Sequence, residues 1–592
     1  MSNTKIRLRT LTPLHIGTGE ELAPLDYVAL ANNNRFYRIT QEQMSRFLKG
    51  MESEALAGPK AFAEWISEQY AAMREIRDNR TLSQMADQMN PYAFSEAKGK
   101  AKEFVQFLKD PEQKVFSAPV SFDDFTRKRH RGAKAIPLGR VREAIKTPKD
   151  QPLLPGTSIK GAIRTAVFYH YLTQYADSKR VQRLVRDQLD NRRSRKERFA
   201  LPIIHEAFYC HIKEQTHRGE RVKKDDEKMD LFKLVRCRDA QVADEKQALG
   251  FAKVNIYLVE KKQGRDKKDT YFEATQQRQT SYCEIIPAGT VLETELGFDI
   301  DFLLQIKQQL KGEGVPAGDS VAWIGIAEKV KQLFGIKLEE ITKDNKEEKR
   351  QAVIKHLQQC LNTFNQVQIE AYQEWLAHFE QNDKRNNYTE KIKAGSASLL
   401  TRAERPLMHL GYATGFDGTT ALQYFLSDDS RKAVFKEVMS KFNIGNKPGN
   451  RGQYTPNPDR FPKSKRLVET NGLLQPMGWV EVFLSGEDIR PLENLDISDA
   501  VLTEQAAEEP APPAEPEYYD KPINPKKAPE LDAVVVKAGR PNRVKVYVKP
   551  DYTPELELNG YRSPLEKGTI VRVQTVFNKK KKLVQIAFRG LK

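Results

Sequence analysis

Short strand-like segments stand on both sides of one amphipathic helix in this chain, and this order limits the fold classes open to it. Residues 5–11, KIRLRTL, alternate polar and apolar side chains as a half-buried strand does. The helix begins near Pro155 and Gly156, and its apolar residues recur at helical spacing: Ile159, Ala162, Ile163, Ala166 and Val167. Further strand candidates follow at residues 231–240, 253–262 and 281–298. Strands, a crossing helix and more strands predict an α+β fold built from ferredoxin-like units.

The start of this helix has the glycines of a phosphate-binding loop but not its full pattern. A P-loop reads GxxxxGK[ST], because its lysine and its hydroxyl hold the phosphates and Mg²⁺. Gly156 and Gly161 have the required spacing, but Ala162 and Ile163 stand where the lysine and the hydroxyl residue belong. The sequence therefore excludes a P-loop ATPase.

The same helix start offers two cations to another kind of anion. Lys160 and Arg164 are four residues apart, near the end of a helix where free N–H groups and the helix dipole favour negative charge. Thr157 or Ser158 can cap the helix. A phosphate of a nucleic-acid backbone fits this arrangement, and a capped core helix with two solvated cations is the alternative.

The charge balance favours a polyanionic partner. The 592 residues carry 97 Lys and Arg against 80 Asp and Glu, which gives a net charge of +17 and a sequence pI near 9.3. Charge that only serves solubility is the alternative. The four cysteines have no CxxC spacing, so the sequence indicates neither a disulfide framework nor a thiolate zinc knuckle. No apolar run reaches about 18 residues, and we expect a cytoplasmic protein that does not enter a membrane.

Composition also divides the chain into regions. Residues 45–135 and 300–395 have helical patterns. Residues 491–530 are rich in Pro and Glu and poor in large aliphatic residues, as is typical of an extended linker. Residues 531–592 hold five short strand candidates and carry fourteen Lys and Arg against five Asp and Glu. This last region is predicted to be a small basic β-barrel of the OB or SH3 type.

Two glycine-containing segments carry side chains suited to RNA. His15 precedes GTG and can hydrogen-bond a phosphate or a sugar, although a satisfied core histidine is equally consistent with the sequence. In the segment 411–420, Gly411 and Gly415 can arrange backbone N–H groups around an anion, while Tyr412 and Phe416 can stack on bases. A tight turn packed by its own aromatic residues is the alternative.

A third segment, residues 446–466, mixes cations with Gly, Pro and Tyr and has no periodicity. It is predicted to be a loop that contacts RNA or is merely solvated. Its candidate RNA contacts are Arg451, Lys463, Lys465 and Arg466.

Motifs for metal binding or hydrolysis are missing from the sequence. Three histidines and a cysteine lie close together in the chain, at His205, Cys210, His211 and His217. The zinc motif HExxH places its second histidine four residues after the first, whereas here the separation is six. No GxSxG elbow is present. We therefore predict no metal and no cofactor.

Several motifs can be taken together: TPLHIGTGEELAPLDYV, LPGTSIKGAIRTA, RCRDA, CEIIPAGT, HLGYATGFDGTT and QPMGWVEVFL. Their order resembles that of the RAMP subunits of type III CRISPR ribonucleoproteins. Within these, the chain is most similar to the subunits that cap the 3′ end of the guide RNA in Csm complexes, type III-A. Each motif is weak alone, the order is specific, and the resemblance covers most of residues 1–485.

The resemblance implies two RRM-related RAMP domains, one at residues 1–280 with the first helical region inserted and one at 281–490 with the second. It implies binding to the backbone of the crRNA, through Lys160 and Arg164 among others, without reading of its sequence. The implied partners are the crRNA, adjacent RAMP backbone subunits, small subunits and host maturation nucleases.

One catalytic alternative comes with the resemblance. In RAMP backbone subunits an Asp in the loop after the first strand supports metal-dependent cleavage of target RNA, and Asp26 stands at the corresponding loop. The ordinary role of an Asp after Pro and Leu is to pin a turn. We predict a non-catalytic subunit, with a metal-dependent endoribonuclease that uses Asp26 as the alternative.

Overall fold

The fold was described from a computed structural model. The described residues are 3–51, 58–122, 134–191, 200–216, 219–223, 229–244, 249–263, 270–277, 280–311, 320–384, 386–419, 422–445, 456–470, 472–484, 487, 489, 530–537, 542–546, 556–559, 565, 569–577 and 583–591. The predicted linker at 491–530 lies outside them except for Glu530, which begins a strand.

Within these residues the chain has an α+β fold. The strands are β1 (Thr4–Thr10), β2 (Gly17–Leu22), β3 (Tyr27–Leu30), β4 (Arg35–Arg38), β5 (Phe116–Pro119), β6 (Val141–Ala144), β7 (Leu153–Leu154), β8 (His211–Thr216), β9 (Gly219–Lys223), β10 (Val235–Cys237), β11 (Ala240–Val242), β12 (Gly250–Gln263), β13 (Thr270–Gln276), β14 (Ser281–Ile285), β15 (Val291–Phe298), β16 (Ser320–Ile324), β17 (Leu407–His409), β18 (Ser464–Thr470), β19 (Leu473–Pro476), β20 (Trp479–Leu484), β21 (Glu530–Lys537), β22 (Arg543–Val546), β23 (Leu556–Asn559), β24 (Ile570–Phe577) and β25 (Leu583–Leu591).

The α-helices of the described residues are α1 (Gln41–Gly50), α2 (Pro59–Arg74), α3 (Asn79–Gln88), α4 (Pro91–Ala97), α5 (Ala101–Lys109), α6 (Gly156–Gln174), α7 (Ser178–Asp190), α8 (Leu201–Phe208), α9 (Ile300–Leu310), α10 (Ile326–Phe334), α11 (Lys346–Asn382), α12 (Tyr388–Leu400), α13 (Gly415–Thr419), α14 (Leu422–Leu426) and α15 (Asp429–Lys441). None of them is both long and apolar enough to span a bilayer.

Strand β1 lies at the centre of the first sheet, whose order is β17-β20-β1-β15-β11-β7, with β10 also paired to β15. It pairs antiparallel with β15 on one side and with β20 on the other. Arg9 of β1 forms a buried ion pair with Glu481 of β20. The sheet is therefore completed only by strands that come late in the chain.

Helices α6 and α11 pack against each other and against this sheet. Ile163 and Val167 of α6, Leu357 and Leu361 of α11, and Leu8 of β1 are buried in one apolar core. The apolar residues whose spacing predicted α6 form the face that the helix buries in this core. The long helical stripe near residue 360 likewise faces this core rather than a coiled-coil partner.

The second sheet has the order β19-β18-β12-β14-β6-β2, with β13 paired to β12. Its strands and those of the first sheet alternate along the chain, and pairings such as β12 with β14 and β1 with β15 cross the predicted boundary between residues 280 and 281. Residues 1–493 form one compact unit. The two sheets are therefore interleaved and are not consecutive halves of the chain.

The two regions with helical patterns are helical in the structure. The first holds α1–α5 and builds its own apolar cluster, which includes Phe47, Trp65, Phe94 and Phe104. A small sheet, β3-β4-β5, frames it. The second holds α9, α10, α11 and most of α12.

Residues 494–592 form the other compact unit. Its described strands close into a barrel in the order β21-β22-β23-β25-β24, and β24 returns to β21. Strands β23 and β25 run parallel, while the other neighbouring pairs are antiparallel. The side chains of Val535, Val544, Val571 and Val573 are buried.

Candidate nucleic-acid interface

The start of α6 is capped by a distant carboxylate. The helix begins at Gly156 with Pro155 as its N-cap, and no side chain of the cap residue bonds to it, so the prediction of Thr157 or Ser158 as the cap is wrong. Instead the N–H of Gly156 donates to Oδ1 of Asp239 at 2.7 Å. A carboxylate of the protein therefore already occupies part of the position predicted for phosphate.

Glycine is required at this helix start because another backbone passes over it. A Cβ on Gly156 would overlap the carbonyl oxygen of Cys237 and would lie 2.8 Å from the carbonyl oxygen of Arg238. These residues form the turn between β10 and β11. Gly161, one and a half turns later, has no atom near a hypothetical Cβ. The first glycine of the motif thus serves packing.

The two cations of this helix are held by protein groups. Nη1 of Arg164 is 2.6 Å from Oδ2 of Asp230, and its guanidinium lies 4.1 Å from the ring centre of Phe208. Nζ of Lys160 is 5.9 Å from the ring centre of Phe232. Burial lowers the pKa of the Lys160 amine. This arrangement matches the alternative of a core helix more closely than it matches an open phosphate site.

His15 is a satisfied core histidine. It is 2% exposed, and its Nδ1 donates to the carbonyl oxygen of Glu284 at 2.6 Å. Burial lowers the pKa of its imidazole. This burial favours the alternative of a satisfied core histidine, and direct contact of His15 with RNA stays a prediction. Its role is structural, because its carbonyl accepts the N–H of Tyr412 at 2.8 Å.

Tyr412 lies close to two arginines that come from different strands. The guanidinium carbon of Arg142, on β6, is 4.6 Å from the centre of the Tyr412 ring, and that of Arg466, on β18, is 5.5 Å away. Among the described residues neither arginine has a carboxylate within ion-pair distance. Arg466 is exposed and Tyr412 is half-buried. We name Tyr412, Arg142 and Arg466 the Tyr412 cluster.

The sequence interpretation missed Arg142. It stands in the short strand VREA, whose four residues give no RNA-binding motif. Its Nε is buried without a hydrogen-bond partner in the described structure. Glu284 on the neighbouring strand is also buried, but it accepts the N–H of Ala144 and the amine of Lys146, each at 2.9 Å. Oε2 of this neighbouring carboxylate is thus engaged by other donors.

The glycine-rich segment is shaped by close packing on one side. Gly411 has φ +89°, and a Cβ there would lie 2.6 Å from the carbonyl oxygen of His15. Gly415 has φ +62° and open space around its Cβ position. Phe416 packs edge-on against Phe461, with ring centres 4.9 Å apart. Phe416 therefore contributes to packing, as the alternative interpretation of this segment held, while Tyr412 remains at the surface.

The cations predicted in the loop 446–466 divide into three groups. Arg451 lies outside the described residues. Lys463 is exposed, and the loop ends there because β18 begins at Ser464. Lys465 and Arg466 thus belong to a strand, which corrects the predicted loop boundary. Lys465 forms an ion pair with the buried Asp417, whereas Arg466 joins the Tyr412 cluster.

A family model matches nearly the whole length of the sequence. The family model of the RAMP superfamily matches residues 7–582. The chain belongs to the RAMP superfamily. The predicted family is thereby confirmed.

Two solved structures illustrate what this RAMP chain is similar to. One is a chain of a cryo-EM structure of a Csm–crRNA–target RNA ternary complex, with 19% identity, a TM-score of 0.43, and coverage of 81% of this chain and 100% of that chain. Another is the crystal structure of T. onnurineus Csm5, with 18% identity, a TM-score of 0.44, and coverage of 80% and 99%. A search of curated proteins gives no match.

In this RAMP chain the side chain of Asp26 closes a turn. Its Oδ2 accepts the N–H of Ala23 at 2.8 Å at the start of the 3₁₀ helix Pro24–Asp26. Asp26 belongs to none of the metal-ligand groupings found among the described residues. The ordinary role weighed for this carboxylate therefore accounts for its geometry.

The histidines and cysteine near residue 210 do not form a metal site in the described structure. His205 stacks on Tyr209, and Cys210 is buried, which raises the pKa of its thiol to about 11. His211 lies on β8, and His217 is outside the described residues. The described ligand atoms of this segment are not gathered around a common point.

Proposed function

We propose that this RAMP chain is a non-catalytic RNA-binding subunit that caps the 3′ end of the crRNA in a type III-A Csm ribonucleoprotein. In this role it supports crRNA maturation and complex assembly in antiviral defence. The observation that carries the proposal is the Tyr412 cluster, in which two arginines without carboxylate partners among the described residues flank a surface aromatic ring.

The chemistry of the cluster suits the RNA backbone. A guanidinium binds phosphate oxygens with paired N–H donors, and an aromatic face or a guanidinium plane can stack on an unpaired base. These interactions depend little on base identity, because every phosphate is alike and every base has a π-face. A net charge of +17 over the chain adds long-range attraction to the same polyanion.

The topology supports the finer fold assignment within this proposal. In the first sheet β20-β1-β15-β11 has the order 4-1-3-2 of a ferredoxin-like unit, with α6 between the first and second of these strands and α11 between the third and fourth. The second sheet would correspond to a second, interleaved RAMP unit. The closed five-stranded barrel would be an OB-type accessory domain.

The assignment to the 3′ end rests on the order of motifs between residues 12 and 484, which resembles that of Csm capping subunits. The expected partners are the crRNA, the adjacent RAMP backbone and small subunits, and maturation nucleases of the host. The expected location is the cytoplasm. No RNA-cleaving role is proposed, because the Asp26 carboxylate is engaged by the turn that it closes.

The RNA interface is tested with paired charge-removing variants of the full chain. Arg142→Gln with Arg466→Gln should weaken binding of a labelled single-stranded RNA about 100-fold, because two charge-assisted contacts are lost. The slope of log K against log salt should fall by about 1.4 for two phosphates. Arg180→Gln with Arg186→Gln is the matched control, because it removes the same charge from exposed arginines that pair with Glu206 and Glu437. An equal loss of RNA affinity in both double variants would show that only the overall charge matters and would contradict the proposed interface.

The capping role is tested by purification of the chain with its complex. We expect the chain to co-purify with a short RNA and with other Csm subunits, and we expect its removal to leave complexes whose crRNA 3′ ends are unprotected from nuclease. The isolated chain with Mg²⁺ or Mn²⁺ should leave complementary RNA intact. A metal-dependent ladder that Asp26→Ala abolishes would replace the proposal with the endoribonuclease.

A further inference from the structure

Three metal-binding side chains meet where α6 and α11 pack against each other. His170 lies near the end of α6, and His356 and Cys360 lie one turn apart on α11. Their ligand atoms are all within 4.8 Å of one another. Cys360 is buried, and the two histidines are half-buried. This group lies outside the RNA site described above and shares no residue with it.

The imidazole of His356 is held in the orientation that a metal ligand needs. The backbone of Leu333, at the end of α10, lies beside this imidazole. Its Nε2 is 3.5 Å from Sγ of Cys360. A ligating histidine commonly bonds the backbone through one nitrogen and leaves the other for the metal. The backbone contact of His356 is of this kind.

The neighbouring helix leaves space for this ring. Gly335 caps α10 with φ +71°, and a Cβ on it would lie 2.8 Å from Cγ and Nδ1 of His356. Any other residue would push the imidazole away from Cys360. The third ligand, His170, has its Nε2 buried without a hydrogen-bond partner, and its ring is 5.1 Å from that of His356.

We propose that His170, His356 and Cys360 form a zinc site that joins α6 to α11. Two imidazole nitrogens and one thiolate sulfur are the ligands that Zn²⁺ prefers, and a water would take the fourth position. On binding, two imidazole lone pairs and the sulfur form bonds to the ion, the thiol proton of Cys360 passes to solvent, and the ion loses water from its hydration shell. An ion bound in this way would cross-link the two helices.

The spacing needs only a small adjustment. Zinc lies about 2.0–2.3 Å from such ligands, so ligand atoms of a tetrahedral site are about 3.3–3.7 Å apart. The pair formed by Sγ of Cys360 and Nε2 of His356 has this spacing at 3.5 Å. The nitrogen of His170 has to approach by about 1.5 Å at most, which a rotation of a half-buried ring at a helix end allows.

The consequence would be a cross-link within the helical layer that covers the first sheet. Helices α6 and α11 cover the first sheet, and their contact is otherwise apolar around residues such as Ile163 and Leu361. A cross-link between residues 170 and 356–360 would join segments that are far apart in the chain. Metal binding would then contribute directly to the stability of the compact unit.

The test measures the metal bound to the full chain after expression with added zinc. We expect about one zinc per chain in the wild type and a loss of most of it in Cys360→Ala and in His170→Gln. Cys210→Ala is the matched control, because Cys210 is equally buried and belongs to the His205–His211 segment. Loss of zinc in Cys210→Ala with retention in Cys360→Ala would overturn the assignment.

A second measurement does not depend on the variants folding. Chelator-treated wild-type chain titrated with Co²⁺ should develop a single thiolate-to-cobalt charge-transfer band, and zinc should displace it. Zinc should also raise the Tm of the wild type and leave the Tm of His170→Gln unchanged. A wild-type chain that carries no zinc, shows no cobalt–thiolate band and keeps its Tm on metal addition would sink the proposal.

Discussion

The start of α6 and the Tyr412 cluster have the same ingredients and opposite outcomes. Both combine glycine, aromatic rings and two cations near the surface. At the helix start Arg164 has Asp230 as a partner, and Asp239 bonds the first N–H. In the Tyr412 cluster no described carboxylate is within ion-pair distance of Arg142 or Arg466. A cation can bind RNA phosphate when the fold places no carboxylate within ion-pair distance of it.

The comparison also separates two uses of glycine. Gly156 makes room for the β10–β11 turn, and Gly411 makes room for the backbone of His15. The close contact at Gly156 produces a closed helix start, while the close contact at Gly411 positions the ring of Tyr412 next to two strands. The two roles predict different effects when each glycine is replaced by alanine, which adds one methyl group.

The largest effect is expected at the helix start. Gly156→Ala should lower the free energy of unfolding by about 3 kcal/mol, because the new methyl overlaps the backbone of Cys237. Gly161→Ala should raise it by about 0.5–1 kcal/mol, since that position is open and alanine favours a helix. Urea denaturation of both variants measures the difference. Equal stability of the two would remove the packing explanation for the first glycine.

A smaller effect is expected at the glycine-rich segment. Gly411→Ala should cost about 2 kcal/mol, because it combines positive φ with a contact to the carbonyl of His15, and it should also weaken RNA binding by moving Tyr412. Gly415→Ala carries only the cost of positive φ, about 1 kcal/mol. Denaturation and RNA titration are compared for both. RNA affinity unchanged in Gly411→Ala would separate Tyr412 from the RNA site.

The ring of Tyr412 is the next point of test. Tyr412→Leu keeps an apolar side chain but removes the aromatic face, so RNA affinity should fall about tenfold. Tyr70→Leu replaces an exposed tyrosine of α2 and should leave the affinity unchanged. Fluorescence anisotropy with a short single-stranded RNA measures both. Full affinity in Tyr412→Leu would leave the two arginines as the only contributors.

The smallest expected effect is the pH dependence of stability that His409, near the Tyr412 segment, contributes. His409 stacks on Trp479, and burial lowers its pKa to about 4, with Asp417 and Lys465 as the facing charges. The unfolded chain takes up a proton near pH 6.5 and the folded chain only near pH 4, so stability is lost as pH falls between these values. His409→Gln should reduce that loss by about 1 kcal/mol between pH 7 and 5.5. If His409 did not contribute, the urea midpoint would shift by the same amount between the two pH values in both chains.

Periodicity and turn residues were enough to locate many of the elements. The alternation in KIRLRTL marks β1, and the apolar spacing after Pro155 marks α6, because both patterns record which side chains face the core. The five short segments near the end of the chain are the five strands of the barrel. Patterns of this kind depend only on residues a few positions apart, so a single sequence is enough to show them.

The partners of surface cations were beyond such patterns. Asp230 and Asp239 lie far along the chain from Arg164 and Gly156, so their contacts follow from the fold and not from spacing. The same holds for Arg142 beside Tyr412 and for His170 beside Cys360. The interleaving of the two sheets was missed for this reason, because strand order within a sheet leaves no local signature.

The position of β1 sets the order in which the polypeptide can mature. This strand is synthesised before both of its neighbours, β15 and β20, and β20 ends only at Leu484. Until that residue is synthesised, one edge of β1 has no native partner, and an unpaired edge invites association with other chains. Slow translation of the middle of the gene should therefore increase demand for chaperones, and a message truncated before β20 should yield an insoluble product.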